Sequence, residues 1–437
     1  MRSAISLARG KASELASATT NKIRRDGVLS FLKASADNLC YLSTIISFKI
    51  LFDSVTRDEL IRRAKQSDRY WEYGSAEKVE IQNQEIGRTP DLFTEHSGLY
   101  DVERPFVCEL DGGYLINSTH PFALTRDREV IMESEKPTYG PRKNATQPDT
   151  PFHSRIEYTE GASSRMRQLC RGYARSQGWF HERTQFETVF PLTFGGDNSY
   201  YHWLLDKLPT VRGLRRYEEV TGREPTVVVD SNLPGWIQET LSLVGVDNVV
   251  PLDMPVVKAD RLVVSSCRES VPRNQLVYEP SREDITWLNR EMKSRAPSTS
   301  TEQPDRIYIS RKNVSNRGRN VTNQEELESV LEEFNVETCS PETLSVAEQI
   351  RLFENADLLM GPHGAGLTNM IFSEDTCVIE LLNKEYPTFQ HLSQLCGHEY
   401  QYLRCGVGGG HRSSIEVDTA DLRDTLASFD GLTTSSP

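Results

Sequence analysis

The stretch Leu358-Leu359-Met360-Gly361-Pro362-His363-Gly364-Ala365-Gly366-Leu367-Thr368-Asn369 decides how the rest of this chain is read. The apolar run from Ala356 to Met360 predicts a buried strand. It stops at Gly361-Pro362, small residues follow, and Leu367 to Phe372 is an apolar segment able to start a helix. Glycines behind a strand let the backbone approach a ligand closely, and the first amides of a following helix can hold an anion. The next apolar run, Cys377 to Leu382, carries a carboxylate, Glu380. A charge buried there is costly unless something pairs with it. Both runs together imply the carboxyl edge of a parallel sheet, with His363 and Glu380 aimed at one crevice. The same residues also fit a strand–turn–helix joint whose glycines serve packing alone.

Working outward, the segments on either side alternate strand and helix. Arg306 to Ser310 reads as a strand, Asn323 to Phe334 as a helix, Val336 to Thr338 as a strand and Val346 to Asn355 as a helix. After the opening stretch come a helix near Phe389 to Cys396 and a strand at Gln401 to Leu403. Asn323, followed by Glu325 and Glu326, has the composition of a capped helix start. Upstream of the Pro/Ser/Thr-rich linker Ala296 to Pro304 the alternation recurs. Phe186 to Thr193, Thr226 to Val229 and Arg261 to Ser265 read as strands, with helices at Ser199 to Tyr217, Trp236 to Val244 and Glu283 to Arg295. This spacing predicts an α/β protein with two doubly wound parallel sheets and a ligand cleft between them. Residues 86–135 read as β-rich with a tight Asp111-Gly112-Gly113 turn, and 136–152 as a Pro-rich loop. The expected division is a helical extension over 1–85, an α/β domain over 86–295 with a β-rich start, and a second over 305–437.

Two further constellations carry chemistry. Gly195-Gly196 turns the chain, Asp197 or Asn198 is placed to cap, and Tyr200-Tyr201-His202-Trp203-Leu204-Leu205-Asp206-Lys207-Leu208-Pro209 follows. Four residues apart on a helix, His202 and Asp206 share a face, as a base pair, as a base (Asp206) with His202 orienting the substrate, or as a surface ion pair on an aromatic helix. Ser310-Arg311 ends a strand, with Arg317, Arg319 and Asn320 after it. A guanidinium there suits phosphate bidentately, although a solvated basic loop has the same composition.

Composition narrows the field. The chain has 437 residues, 37% hydrophobic and 26% charged, which is ordinary for a globular protein of two to three domains. Its net charge of −13 argues against general nucleic-acid binding. The eight cysteines form no CxxC pair and read as buried thiols rather than a zinc site or disulfide framework. Leu39 to Phe52 is apolar but broken by Lys49, and too short for a membrane span of about 20 residues. With Arg24, Arg25 and Lys33 it reads as a surface-lying amphipathic helix or as a helix packed on the body of the protein. The expectation is a cytoplasmic protein, at most peripheral at the inner face of the membrane.

The three motifs in this order, Tyr200 to Pro209, Tyr308 to Lys312 with Asn323 to Leu327, and Gly361 to Asn369 with Val378 to Leu381, resemble the family 61 glycosyltransferases. That family includes capsular polysaccharide biosynthesis proteins, plant pentosyltransferases and secretory-pathway O-linked N-acetylglucosamine transferases. The resemblance spans roughly residues 95–405. It implies a GT-B fold and inverting transfer from a nucleotide sugar to a glycan or lipid-linked glycan. By the same resemblance Asp206 is the base, with His202 beside it. Ser310, Arg311, His363, Gly364, Ala365, Gly366 and Asn369 hold the nucleotide sugar, and Glu380 sits at the nucleoside.

Inverting transfer needs a carboxylate to take the acceptor proton and positive charge to hold the departing diphosphate. Many such enzymes grip a metal with Asp-x-Asp, and this chain has no Asp-x-Asp. Hence no cofactor or metal is expected; the partners are the donor and the acceptor. The rival readings are a non-catalytic nucleotide-sugar-binding partner in a polysaccharide-assembly complex and an α/β hydrolase, for which no G-x-S-x-G elbow exists.

Overall fold

Apolar residues spaced two apart on a strand point to one face, so a strand apolar throughout must be covered on both. Leu358–Pro362 and Cys377–Leu382 are buried at every position, and both lie inside a five-stranded sheet covered on two sides. The structure, a computed structural model, describes residues 54–82, 98–117, 121–131, 133, 184–193, 199–267, 270–272, 280–299, 302–314, 318–383, 386–406 and 413–433.

That sheet consists of Arg306–Ile309, Glu337–Cys339, Leu358–Pro362, Cys377–Leu382 and Glu399–Arg404, all parallel. Numbered along the chain, the strands lie in the order 2-1-3-4-5. Tyr308, Leu358, Met360, Ile379 and Leu381 face one layer, with Leu327 and Leu331 of helix Gln324–Glu333 and Leu422 and Leu426 of helix Thr419–Thr433. Ile307, Ile309, Leu359 and Val378 face the other, against helix Val346–Phe353, the 3-10 segment Ala365–Phe372 and helix Thr388–Cys396. The sequence boundaries hold to within a residue or two. Asn323 does not cap its helix: its side-chain amide bonds both backbone groups of Val417, at 2.8 and 3.0 Å.

The upstream sheet differs from the expected doubly wound parallel one. It is a ten-stranded mixed sheet. Four parallel strands, Val256–Ser265, Thr184–Pro191, Thr226–Val229 and Val249–Pro251, lie side by side in that order. Phe106–Leu110 and Gly113–Ile116 then pair antiparallel with the outer edge of Val256–Ser265, and Phe122–Thr125 with Gly113–Ile116. The β-rich segment therefore extends this sheet instead of preceding it. Its tight turn is made by Gly112, at φ +81°, a conformation that favours glycine. The described part of the expected helical extension, residues 54–82, also departs from expectation: besides helix Arg57–Gln66 it contributes strands Ser54–Val55, Tyr70–Glu72 and Glu77–Ile81.

One apolar core joins the two sheets. Ile285, Leu288 and Met292 of helix Arg282–Arg295 share it with Val346, Ile350 and Phe353, and with Leu367 and Met370. Polar contacts lock the same seam. The Glu239 carboxylate accepts from the backbone N–H of Val346 and of Ala347, both at 2.8 Å, capping that helix from the other sheet's layer. Asn289 Nδ2 donates to the Ile371 carbonyl at 2.6 Å.

All the described cysteines are free thiols. No described helix is long and apolar enough to cross a membrane. Leu39 to Phe52, the loop 136–152, Gly195 to Asn198, Arg317, Cys40 and Cys170 lie outside the described residues.

Candidate active site

In a sheet of order 2-1-3-4-5, the chain leaves strands 1 and 3 in opposite directions, which opens a crevice at their carboxyl ends. Here those ends carry Ser310-Arg311 and His363-Gly364. The glycines between are set by close approach. A Cβ on Gly361 would meet the Ile309 carbonyl at 3.1 Å, and one on Gly366 would meet Ile309 Cγ2 at 2.8 Å. A Cβ on Gly364 would collide with Arg311 Nη1. The guanidinium thus lies directly on the loop backbone, and Arg311 is buried although charged. Its Nε donates to the Gly318 carbonyl at 3.4 Å. Gly318 and Arg319 are both left-handed, at φ +64° and +65°, so a reversal of the chain braces the arginine. Ser310 serves this turn: its hydroxyl accepts from the Lys312 N–H at 3.2 Å.

His363 faces Glu380 on the neighbouring strand, Nδ1 to Oε1 at 2.5 Å. The other carboxylate oxygen accepts from the Tyr400 hydroxyl at 2.6 Å. Glu380 is 0% exposed. The partner that a carboxylate in an apolar strand requires is therefore double, an imidazole and a phenol. Burial and the neighbouring carboxylate push the Tyr400 phenol well above its ordinary value, so it stays protonated and donates. With both oxygens bonded and no exposed surface, the Glu380 carboxylate is engaged by His363 and Tyr400. Rings complete the setting. Tyr386 lies 5.0 Å and Phe389 5.1 Å from the His363 ring, and the positive charge of Arg319 acts on Tyr386.

Asn369 is bonded at both ends of its amide. It is fully buried, its Oδ1 accepts from the Tyr200 hydroxyl at 2.9 Å, and its Nδ2 donates to Gln349 Oε1 at 2.9 Å. The amide clasps the loop to the helix that carries the first motif. Ala365 and Gly366 begin the 3-10 segment, where Leu367 N–H bonds the Gly364 carbonyl at 3.0 Å.

The first motif is not a plain helix. Tyr200–His202 is α-helical, Trp203–Lys207 a π turn, Leu208–Thr210 a 3-10 turn and Val211–Thr221 α-helical again. Pro209 explains the interruption: it has no N–H to donate, and its ring would press on the carbonyl four residues back. The chain inserts a wider turn there, with the Leu208 N–H reaching Trp203 O, and such turns gather at functional sites. Trp203, Leu204 and Leu205 anchor the turn inside the core, and Trp203 Nε1 donates to Thr240 Oγ1 at 2.7 Å. Asp206 and His202 remain on the accessible side, 3.0 Å apart, each side chain 19% exposed.

The two pairs belong to one neighbourhood. His202 packs edge-on against Tyr201 at 5.1 Å, Tyr201 against Phe389 at 5.8 Å, and Phe389 against His363 at 5.1 Å. Sequence reasoning missed Tyr200, Gln349, Tyr386 and Tyr400. Only Tyr400 left a signal: the cost of Glu380 in an apolar strand called for a donor on an adjacent one.

This arrangement can pair a carboxylate with a basic crevice across a few aromatic rings. A model of the family described as Glycosyltransferase 61 matches residues 200–379, narrower than the 95–405 span of the motif resemblance. A stretch of 111 residues is 36% identical to an EGF domain-specific O-linked N-acetylglucosamine transferase from Drosophila melanogaster. It covers 24% of this chain and 21% of that relative. The match begins at Tyr200 and takes in Tyr200 to Pro209, Tyr308 to Lys312 and Gly361 to Asn369 in order, so this part of the chain is similar to glycosyltransferase family 61.

Proposed function

We propose that this protein is an inverting glycosyltransferase of GT-B-like build. Residues 305–437 hold a nucleotide sugar and residues 86–295 present the acceptor, a glycan or lipid-linked glycan in cell-surface polysaccharide or glycoprotein synthesis. One observation carries the reading: a half-buried carboxylate, Asp206, is tied through Tyr200 and Asn369 to the loop at the switch point of a parallel sheet, where Arg311 and His363 converge.

In the reaction, Asp206 accepts the proton of the acceptor hydroxyl as its oxygen bonds the anomeric carbon. The carbon–oxygen bond to the diphosphate breaks on the opposite side, and its electron pair leaves with the phosphate oxygen. Arg311, laid on the Gly364 backbone, and His363 stabilise that charge, which in a site shielded from water is the largest single contribution such groups make. The proposal includes departure without a metal, since Arg311 and His363 supply the positive charge and the chain has no Asp-x-Asp.

The test begins with binding. Nucleoside diphosphates are screened by thermal shift, and the sugar donors of those that bind are assayed for turnover with and without EDTA. Stabilisation by one diphosphate and transfer that persists in EDTA are expected. If no diphosphate binds, the reading fails as a whole, whereas full inhibition by EDTA overturns the metal-free part alone.

A further inference from the structure

We infer that Glu380 and Tyr400 are positioning residues that fix the His363 ring as the phosphate-facing group of the crevice. This rests on the proposed nucleotide-sugar site and deepens it. The carboxylate is buried completely and is bonded from two sides, by His363 Nδ1 at 2.5 Å and the Tyr400 hydroxyl at 2.6 Å. Strand pairing sets this geometry. Gly361 lies opposite Glu380, and His363 N–H bonds the Leu381 carbonyl at 3.1 Å, so the imidazole folds back over the carboxylate of the next strand. Tyr400 comes from the strand on the far side, where Val378 lies opposite Tyr400. Three adjacent strands thus contribute one residue each to a single relay.

A carboxylate bonded to Nδ1 fixes which ring nitrogen carries the proton, fixes the plane of the ring, and stabilises positive charge on it. Any anion in the crevice then meets the ring through its Nε2 edge. Tyr400 supplies a hydrogen bond that keeps the second carboxylate oxygen satisfied where water does not reach. Tyr386 and Phe389 hold the ring from its sides. A carboxylate bonded on both oxygens and with no exposed surface is not reached directly by a ligand, so its influence on binding passes through His363.

The experiment uses the full chain with UDP and GDP as probes, and uridine and guanosine as phosphate-free controls. Affinity is measured by calorimetry for the wild type, Glu380→Gln, His363→Gln and the double variant. Tyr400→Phe is the mild substitution in case Glu380→Gln fails to fold. Glu380→Gln should weaken the diphosphate about tenfold, as expected for a charge-assisted hydrogen bond acting through one partner. The double variant should bind within about threefold of His363→Gln alone, because residues that act through one another are not additive. Nucleoside binding should not change. Additive losses, or weakened binding of the nucleoside itself, overturn the inference and return Glu380 to the nucleoside.

A second readout needs no ligand: the proton shared by His363 and Glu380 should give a far-downfield imidazole resonance, lost in Glu380→Gln and in His363→Gln. Absence of that resonance in the wild type overturns the relay. If neither UDP nor GDP binds the wild type, the donor site fails while this resonance still decides the relay.

Discussion

Among the described residues two histidine–carboxylate pairs lie near one another, and they differ in depth. His363 and Glu380 stand 2.5 Å apart with the carboxylate sealed from solvent, while His202 and Asp206 stand 3.0 Å apart and are equally exposed at 19% each. A sealed carboxylate bonded on both oxygens can orient a neighbour, but it cannot exchange a proton with a substrate. An accessible carboxylate on a widened helical turn can. The backbone explains the contrast. Glu380 lies in the middle of an all-buried strand, whereas Asp206 sits where Pro209 forces the helix to open. Under the proposed mechanism, depth assigns the sealed pair to positioning and the accessible pair to proton transfer.

The sharpest way to break this contrast is to neutralise the accessible carboxylate. Asp206→Asn should reduce transfer about 10²–10⁴-fold, the usual loss for a general base, with diphosphate affinity and melting temperature unchanged. Turnover close to the wild type would move the base to His202. Equal loss of diphosphate binding would place Asp206 with the donor and erase the distinction between the pairs.

On the donor side, Arg311→Ala should weaken UDP or GDP by about 1.5–3 kcal/mol, the range for hydrogen bonds to charged groups. Gly364→Ala should reproduce part of that loss without replacing the arginine, because its Cβ would displace the guanidinium. Calorimetry of both variants checks this. Unchanged affinity in Arg311→Ala removes the arginine from the site, and unchanged affinity in Gly364→Ala shows that the guanidinium has room to move.

Much of this was legible in the sequence because it is periodic. The parallel sheet around Leu358 to Leu382 follows from apolar runs at βα spacing, and its boundaries shift by only a residue or two. His202 and Asp206 were found because helical spacing of four survives even through a π turn. What lacked a periodic signal was missed. The antiparallel strands that join Phe106–Leu110 and Gly113–Ile116 to Val256–Ser265 depend on contacts about 150 residues apart in the chain, which no local pattern encodes. Asn323 has the composition of a cap, yet Val417, brought in by the C-terminal segment, claims its amide. The protein partners of Asn369 and Glu380 were not legible either, because a motif names residues and not the atoms that bond them.

The smallest effect should come from the clasp between the two pairs. Tyr200 donates to Asn369 Oδ1 at 2.9 Å, Asn369 donates on to Gln349, and burial holds the Tyr200 phenol protonated so that this direction is fixed. The ring itself packs edge-on against Trp236 at 5.4 Å. Tyr200→Phe keeps that packing and removes only the hydroxyl, leaving a buried amide oxygen unmet, which costs about 1–3 kcal/mol of folding stability. Urea denaturation should register that cost. Because Tyr200 begins the turn that ends at Asp206, the helix should loosen slightly against the donor loop, and transfer should fall by less than about tenfold. Diphosphate affinity should hold, since Arg311 and His363 are untouched. A loss as large as that of Asp206→Asn would mean that the hydroxyl takes part in the chemistry, and a stability unchanged from the wild type would mean that the clasp does not join the two pairs at all.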